Sequence, residues 1–253
     1  MSAALPPHSP RAFYERAYSQ SAAAGRRFGA WRAITGAGKA ERALRALRAL
    51  PRDGASVLDV GCGDGALLAE FAARRPGWTL AGVEIAQAAA RIARTGLPGV
   101  DVRVYDGTRL PWPDASFDAG LLSHVLEHVP DPPATLREAA RVCRVVVVEV
   151  PLEHNLSARR ASKREHADEI GHLQRLSRRD VHAIVTAAGL ELCAEMTGTL
   201  TREALRFFAE NRGARRLADA KWVVQRILHR CAPAVAERIF TVQYVALCAP
   251  PPR

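Results

Sequence analysis

No two cysteines in this chain stand at a C-x-x-C spacing. Cys62, Cys143, Cys193, Cys231 and Cys248 are scattered singly, which excludes a zinc knuckle or a dithiol redox centre read from sequence. The odd count and even scatter suit a reducing compartment. Cys143, Cys193 and Cys248 sit in or beside apolar runs and read as small core residues. No uninterrupted apolar stretch reaches the roughly 20 residues that span a bilayer, so no membrane span is expected. The N-terminal segment lacks the apolar core of a secretory signal. A cytoplasmic protein is the expectation. Lysine is scarce too: Lys39, Lys163 and Lys221 are three of 36 basic residues, the rest being Arg, in a chain of net charge +10. Such a surface attracts phosphates, nucleic acid or anionic lipid. Arg and Ala are abundant everywhere, however, and GC-rich coding is the preferred account of the charge. With 48% hydrophobic and 25% charged residues in 253, the chain is neither fibrous nor mainly disordered and fits one large domain.

Residues 1–10 are Pro-rich and read as loose. Residues 11–35 carry Phe13, Tyr14, Tyr18, Phe28 and Trp31 among charges and read as short helices. KAERALRALRAL at 39–50 places Leu44, Leu47 and Leu50 at every third position, an amphipathic helix ended by Pro51. Residues 1–44 are therefore taken as an N-terminal helical arm, and 45–253 as the main domain. From Ser56 onward, short apolar runs alternate with helical patterns. Val145–Val150 is an unbroken β-branched run, suited to a central strand buried on both faces. Repeated β-α units imply a mainly parallel sheet with helices on both faces. A basic helical insertion at about 198–238 precedes the final strand. It carries Arg202, Arg206, Arg212, Arg215, Arg216, Arg226 and Arg230, either as a phosphate- or RNA-binding face or equally as a solvated face with Phe207, Phe208, Trp222, Val223 and Ile227 packed inward.

The segment Val57-Leu58-Asp59-Val60-Gly61-Cys62-Gly63-Asp64-Gly65 runs a hydrophobic strand into three glycines at alternate positions, then a helix. Glycine lets backbone approach a ligand without a Cβ in the way, and the helix start offers free N–H groups. A dinucleotide can place its pyrophosphate on such a turn, and G-x-G-x-x-A is literally satisfied through Ala66. Asp59 argues otherwise. A carboxylate at the strand tip repels pyrophosphate and attracts the ammonium of an amino-acid moiety. Glu84 ends the next strand, 23 residues after Gly61, where an acid can accept both ribose hydroxyls. Asp106 follows the third strand, placed to reach an adenine amino group. Three acids at successive strand ends describe a pocket for a nucleoside joined to a cationic amino acid.

VLDVGCGDGALL resembles the first motif of class I S-adenosylmethionine-dependent methyltransferases. AGVEIA, VYDGTRLPWPDASFD and LLSHVLEHVPDPPATLREAARV follow in the family's order. The proline-framed run Leu110–Asp118 resembles the subgroup of ubiquinone and menaquinone biosynthesis methyltransferases. The likeness covers roughly residues 45–196 plus the last strand. It implies a Rossmann-like α/β fold with a seven-stranded, mainly parallel sheet whose last strand is antiparallel, and S-adenosyl-L-methionine as cofactor. It also implies that Asp59, Gly61 and Gly63 line the methionine end, and that Glu84 holds the ribose with Ile85 beside it. Asp106 and Gly107 would flank the adenine, and Ser123 and His124 would offer backbone groups near the sulfonium. The chain departs from the pattern where Arg141–Arg144 replaces the usual Pro-Gly-Gly type turn, and in the 198–238 insertion.

The expected activity is in-line methyl transfer to a small-molecule acceptor. His128, His154 and Glu149 are the candidates for a catalytic base. Glu149, Glu153 and His154 follow the fifth strand, as an acceptor-side cluster or as a solvated loop. His124-Val-Leu-Glu127-His128 matches H-x-x-E-H, but that zinc pattern needs a continuous helix. Pro130, Pro132 and Pro133 follow at once, so no metal is expected. His172 is a candidate for substrate contact, while solvated charge is the preferred account of His166. Tyr14 and Tyr18 either close over the cofactor or simply pack, the second being preferred for Tyr18. Three alternatives stand beside the main reading: RNA as acceptor through the basic helices, a nicotinamide-dependent oxidoreductase, and a binding module without catalysis.

Overall fold

The computed structural model describes residues 10–207 and 209–251, without the side chains of residues 20–29 and of His166. The readings of residues 1–9, of Phe28 and Phe208 packing, and of His166 lie outside the described residues.

One long helix, α1 (Pro10–Ala46), replaces the short helices and the separate 39–50 helix expected from sequence. Gly36 within it serves close packing. A Cβ on Gly36 would stand 3.1 Å from the carbonyl oxygen of Ala66, at the start of the next helix. The C-terminal turns of α1 bury Ala40, Ala43 and Leu47 against the main core, so this stretch is part of the domain wall.

Then follow β1 (Ser56–Val60), α2 (Ala66–Arg74), β2 (Thr79–Glu84), α3 (Gln87–Gly96), β3 (Asp101–Val104) and β4 (Phe117–Ser123). After β4 come α4 (Pro132–Val142), β5 (Cys143–Pro151), α5 (Ala161–Glu169), α6 (Arg178–Ala187) and β6 (Glu191–Gly198). The chain ends with α7 (Arg202–Arg206), α8 (Arg212–Cys231), α9 (Pro233–Ile239) and β7 (Gln243–Ala249). The seven strands form one sheet in the order β3-β2-β1-β4-β5-β7-β6. β1 to β5 run parallel to one another, and β7 runs antiparallel to both β5 and β6. The expected sheet is therefore present, and the chain reverses strand order between β1 and β4. In open α/β sheets that crevice is where ligands bind, beyond the carboxyl ends of the strands.

Helices cover both faces. On one side α1 and α2 pack Leu47, Leu68 and Phe71 onto β1 and β2. On the other, α4 and α6 pack Leu136, Val181 and Val185 onto β4 and β5. Each fully buried Leu or Phe contributes roughly 1.5–3 kcal/mol. α4 runs straight into β5 with no intervening residue, which is how the shortened Arg141–Arg144 turn is accommodated. Its start is fixed by Asp131, whose side chain accepts the Ala134 N–H at 2.9 Å.

The insertion departs from expectation. α8 turns Ala218 and Gln225 inward, while Val223 and Ile227 stand exposed with Leu217 and Val224. The alternative in which Val223 and Ile227 pack inward is therefore not the one found: α8 buries Ala218 and Gln225 instead. Arg202 and Arg206 both pair with Asp219, which removes two cations from the proposed basic surface. No helix among the described residues is long and apolar enough to cross a membrane.

Candidate functional site

A cavity of about 920 Å³ opens at the reversal point, between the strand tips and α1. Its size falls within the usual range for small-molecule sites. Every residue expected to meet the cofactor lines it: Asp59, Gly61, Gly63, Glu84, Ile85, Asp106, Gly107, Ser123 and His124. His128 and His172 line its other end, together with Tyr14.

The glycine turn is shaped for close approach. Gly61, Gly63 and Gly65 all have positive φ, conformations that favour glycine. A Cβ on Gly61 would lie 2.8 Å from Val125, and one on Gly63 would lie 2.4 Å from the Tyr18 hydroxyl. Tyr18 thus reaches the turn from α1. The Arg32 guanidinium stacks over its ring at 4.3 Å and pairs with Asp64 at 3.1 Å. A closing role for Tyr18, the less favoured reading from sequence, is the one this geometry supports.

Glu84 is 6% exposed. One carboxylate oxygen accepts the Gly63 N–H at 2.9 Å, and the other accepts Ile85 and Ala86 N–H at 2.8 and 2.9 Å. An ionised carboxylate has about four acceptor positions, so the three backbone donors fix its orientation and leave capacity toward the cavity. Burial raises its pKa, against the pull of those donors. Asp106 is held below the usual carboxylate range by the Arg109 and Thr108 N–H groups, which its Oδ1 accepts.

Asp59 is 2% exposed. Burial pushes its pKa up to about 7, partly countered by Lys39 of α1 and reinforced by Glu84. Lys39 was not foreseen, because it lies 20 residues upstream in a stretch that reads as an N-terminal helical arm. Asp59 was expected to await the ammonium of a ligand. In the structure it shares its surroundings with a lysine of the chain itself.

The far end is built around the turn after β4. His124 has φ +59, a left-handed conformation rare outside glycine. Its N–H donates to the Glu149 carbonyl oxygen at 2.8 Å. A 3-10 turn, Leu126–His128, follows. The continuous helix that the zinc-protease pattern requires is absent here. The His128 Nδ1 lies 3.0 Å from the Gly171 carbonyl oxygen. A carbonyl only accepts, so Nδ1 carries the proton and Nε2 keeps its lone pair in the neutral ring. Burial lowers the pKa of His128. Tyr14 stands edge-on to this ring at 5.7 Å.

Two of the expected catalytic residues are elsewhere. Glu149 is 2% exposed and is not part of the cavity lining. It accepts from Arg42 at 2.9 and 2.5 Å and from the Ser123 hydroxyl at 3.1 Å. It thereby ties α1 to the tips of β4 and β5. His154 points away as well, its Nε2 3.0 Å from the Arg175 carbonyl oxygen. The reasons differ: Glu149 is held within β5 by Arg42 and Ser123, whereas His154 lies in the loop after β5 and turns to Arg175. Only His128 of the three faces the cavity. Glu127, buried beneath His124 and His128, was passed over because its motif was judged as a helix pattern.

A family model described as "Methyltransferase domain" matches residues 30–195. The nocamycin O-methyltransferase of Saccharothrix syringae is 42% identical over 100 residues, covering 37% of this chain and 36% of that protein. The ubiquinone biosynthesis O-methyltransferase of Paracidovorax citrulli is 36% identical over 100 residues, covering 37% of this chain and 41% of the relative. The chain thus matches about two fifths or less of the length of these relatives. Among solved structures, Haemonchus contortus phosphoethanolamine N-methyltransferase 2 in complex with S-adenosyl-L-methionine superposes with a TM-score of 0.59. It is 15% identical, covering 84% of this chain and 53% of that one, a likeness of fold.

Proposed function

We propose, on the premise that this chain belongs to the methyltransferase domain family, that it is an S-adenosylmethionine-dependent enzyme methylating a small molecule by in-line transfer. One observation carries the reading: the glycine turn and the acids at the tips of three successive strands all open into one cavity. The residues fit the cofactor. The turn lines the cavity through glycines of positive φ, Glu84 keeps acceptor capacity for a ribose, and Asp59 supplies a carboxylate for an amino-acid ammonium. Bound there, the cofactor supplies a methyl group on a sulfonium, already an activated leaving group.

The protein's share of the work is alignment and exclusion of water. Positioning alone can supply roughly 7–11 kcal/mol. Tyr18 and Arg32 cover the glycine turn, and the 124–128 turn separates donor and acceptor ends. His128 lines the acceptor end of the cavity. The O-methyltransferases among the relatives support a hydroxyl as the atom modified. An RNA acceptor is less well supported, because Arg202 and Arg206 are engaged by Asp219 and α8 exposes Leu217 and Ile227.

Calorimetric titration with S-adenosylmethionine and with NAD tests the proposal. The methyl donor is expected to bind to wild type and bind far more weakly to Glu84→Ala, and NAD is expected not to bind. NAD binding with the donor inert would overturn the reading.

A further inference from the structure

The acceptor end contains a buried arrangement that the methyl-transfer reading leaves unexplained. Glu127 is 1% exposed, and neither carboxylate oxygen has an aligned hydrogen-bond donor. The nearest polar contacts are His124 Nδ1 at 3.0 Å and His128 Nε2 at 4.0 Å, both to Oε1. With Nδ1 committed to the Gly171 carbonyl, the His128 Nε2 is a lone pair turned toward a carboxylate. Two acceptors facing each other out of water repel unless a cation lies between them.

The third member is His172, whose ring centroid is 4.8 Å from that of His128. Its Nδ1 lies 2.9 Å from Glu153 Oε2, so the carboxylate fixes the proton there and leaves Nε2 as the free donor atom. Backbone holds the group together. The Leu173 N–H donates to the Glu127 carbonyl oxygen at 2.8 Å, and the Gln174 side chain to that of Val129 at 2.8 Å. One ligand atom from each of Glu127, His128 and His172 lies within 4.8 Å of the others.

We propose that Glu127, His128 and His172 bind one divalent transition-metal ion at the acceptor end of the cavity. Two imidazoles and a carboxylate suit zinc, cobalt or iron(II) better than magnesium or calcium, which prefer oxygen shells. A tetrahedral shell with bonds of about 2.0–2.1 Å has edges of about 3.4 Å, so rotation of the rings by a fraction of their reach closes the site. The surrounding hydrogen bonds are those that metal-binding histidines require: the second ring nitrogen of one donates to a carbonyl, that of the other to a carboxylate. Three protein ligands leave a fourth position, and His128 and His172 both line the cavity, so that position faces the acceptor. The proposal departs from the expectation that no metal is held here. The H-x-x-E-H residues supply two ligands, Glu127 and His128, but the third comes from a distant loop.

The site can be tested without any methyl donor. Tag-free full-length protein is stripped with chelator and titrated with Zn²⁺ by calorimetry, and with Co²⁺ by visible absorption. One ion per chain is expected, with a tetrahedral cobalt spectrum. His172→Ala and Glu127→Gln are each expected to weaken binding at least about 100-fold, and Glu153→Gln about 10–100-fold. His182→Ala, at a surface ring paired with Glu195, is expected to bind as wild type does. Circular dichroism and retained S-adenosylmethionine binding show that the variants fold. Absence of stoichiometric binding to wild type, or equal affinity in His172→Ala, would overturn the metal site and leave the methyl-donor reading intact.

Discussion

The two ends of the cavity are built by different means. The donor end is made of short stretches at neighbouring strand tips: 59–65, 84–86 and 106–109. Backbone does most of the shaping there, through positive-φ glycines and the N–H groups that hold Glu84 and Asp106. The acceptor end is made of side chains from Tyr14, the 124–128 turn, Glu153 and His172, brought together only by tertiary folding. A site of the first kind is expected to be rigid and specific for one ligand. The second kind can be rebuilt by changing a few side chains.

The strongest challenge to this division is the joint between the two ends. Arg42→Ala strips Glu149, 2% exposed, of its buried partner. A loss of about 3–5 kcal/mol in unfolding free energy is expected, measured by urea denaturation at neutral pH. A loss below about 1 kcal/mol would mean that the ends are not mechanically joined by α1.

Gly63→Ala attacks the donor end alone. Its φ of +56 and the Tyr18 hydroxyl 2.4 Å from the new Cβ leave no room for a side chain. Donor affinity is expected to fall about 100-fold, roughly 2.7 kcal/mol, with a stability cost of about 1–3 kcal/mol from the backbone strain. Calorimetry and thermal melting separate the two effects.

Proton uptake gives a smaller and graded test. The pKa of Asp59 is raised to about 7, chiefly by burial, against an ordinary value near 3.9. The native state therefore binds more protons than the unfolded state between about pH 4 and 7, and this residue's contribution to stability declines as pH rises through that window and then levels off. Donor binding runs the other way, because only the ionised carboxylate attracts an ammonium. Affinity is expected to rise by up to about tenfold per pH unit below 7 and to flatten above it, and Asp59→Asn is expected to abolish the slope. A flat profile in wild type would remove Asp59 from the ammonium site.

The smallest effect sharpens the contrast. His128→Ala, at the acceptor end, is expected to change donor affinity less than about twofold while turnover falls by the 10²–10⁴ typical of a lost acid–base or ligand group. Equal losses in both would show the ends to be one site.

The same division accounts for what could be read from the sequence. β1, its glycine turn and the acids at 59, 84 and 106 are contiguous or follow the β-α repeat, so local pattern locates them. Val145–Val150 identifies the centre of β5 because a strand buried on both faces needs an unbroken apolar run. Lys39 and Arg42 were illegible: they act across 20 and 107 residues of sequence from Asp59 and Glu149, in a stretch that reads as an N-terminal arm. Glu149 and His154 read as acceptor-side because strand ends usually face ligands, but Glu149 is held within β5 by Arg42 and His154 turns to the Arg175 carbonyl. Val223 and Ile227 fitted either of two readings of the basic helices, and α8 leaves them exposed. Glu127 and His172 share no local pattern.

The most direct test of the donor end is a crystal structure with S-adenosylhomocysteine bound. The ribose hydroxyls are predicted to lie within hydrogen-bond distance of Glu84, about 2.5–3.0 Å, with the amino group beside Asp59 and the adenine against Asp106 and Gly107. A nucleoside bound away from these strand tips, or with its ribose turned from Glu84, would contradict the account.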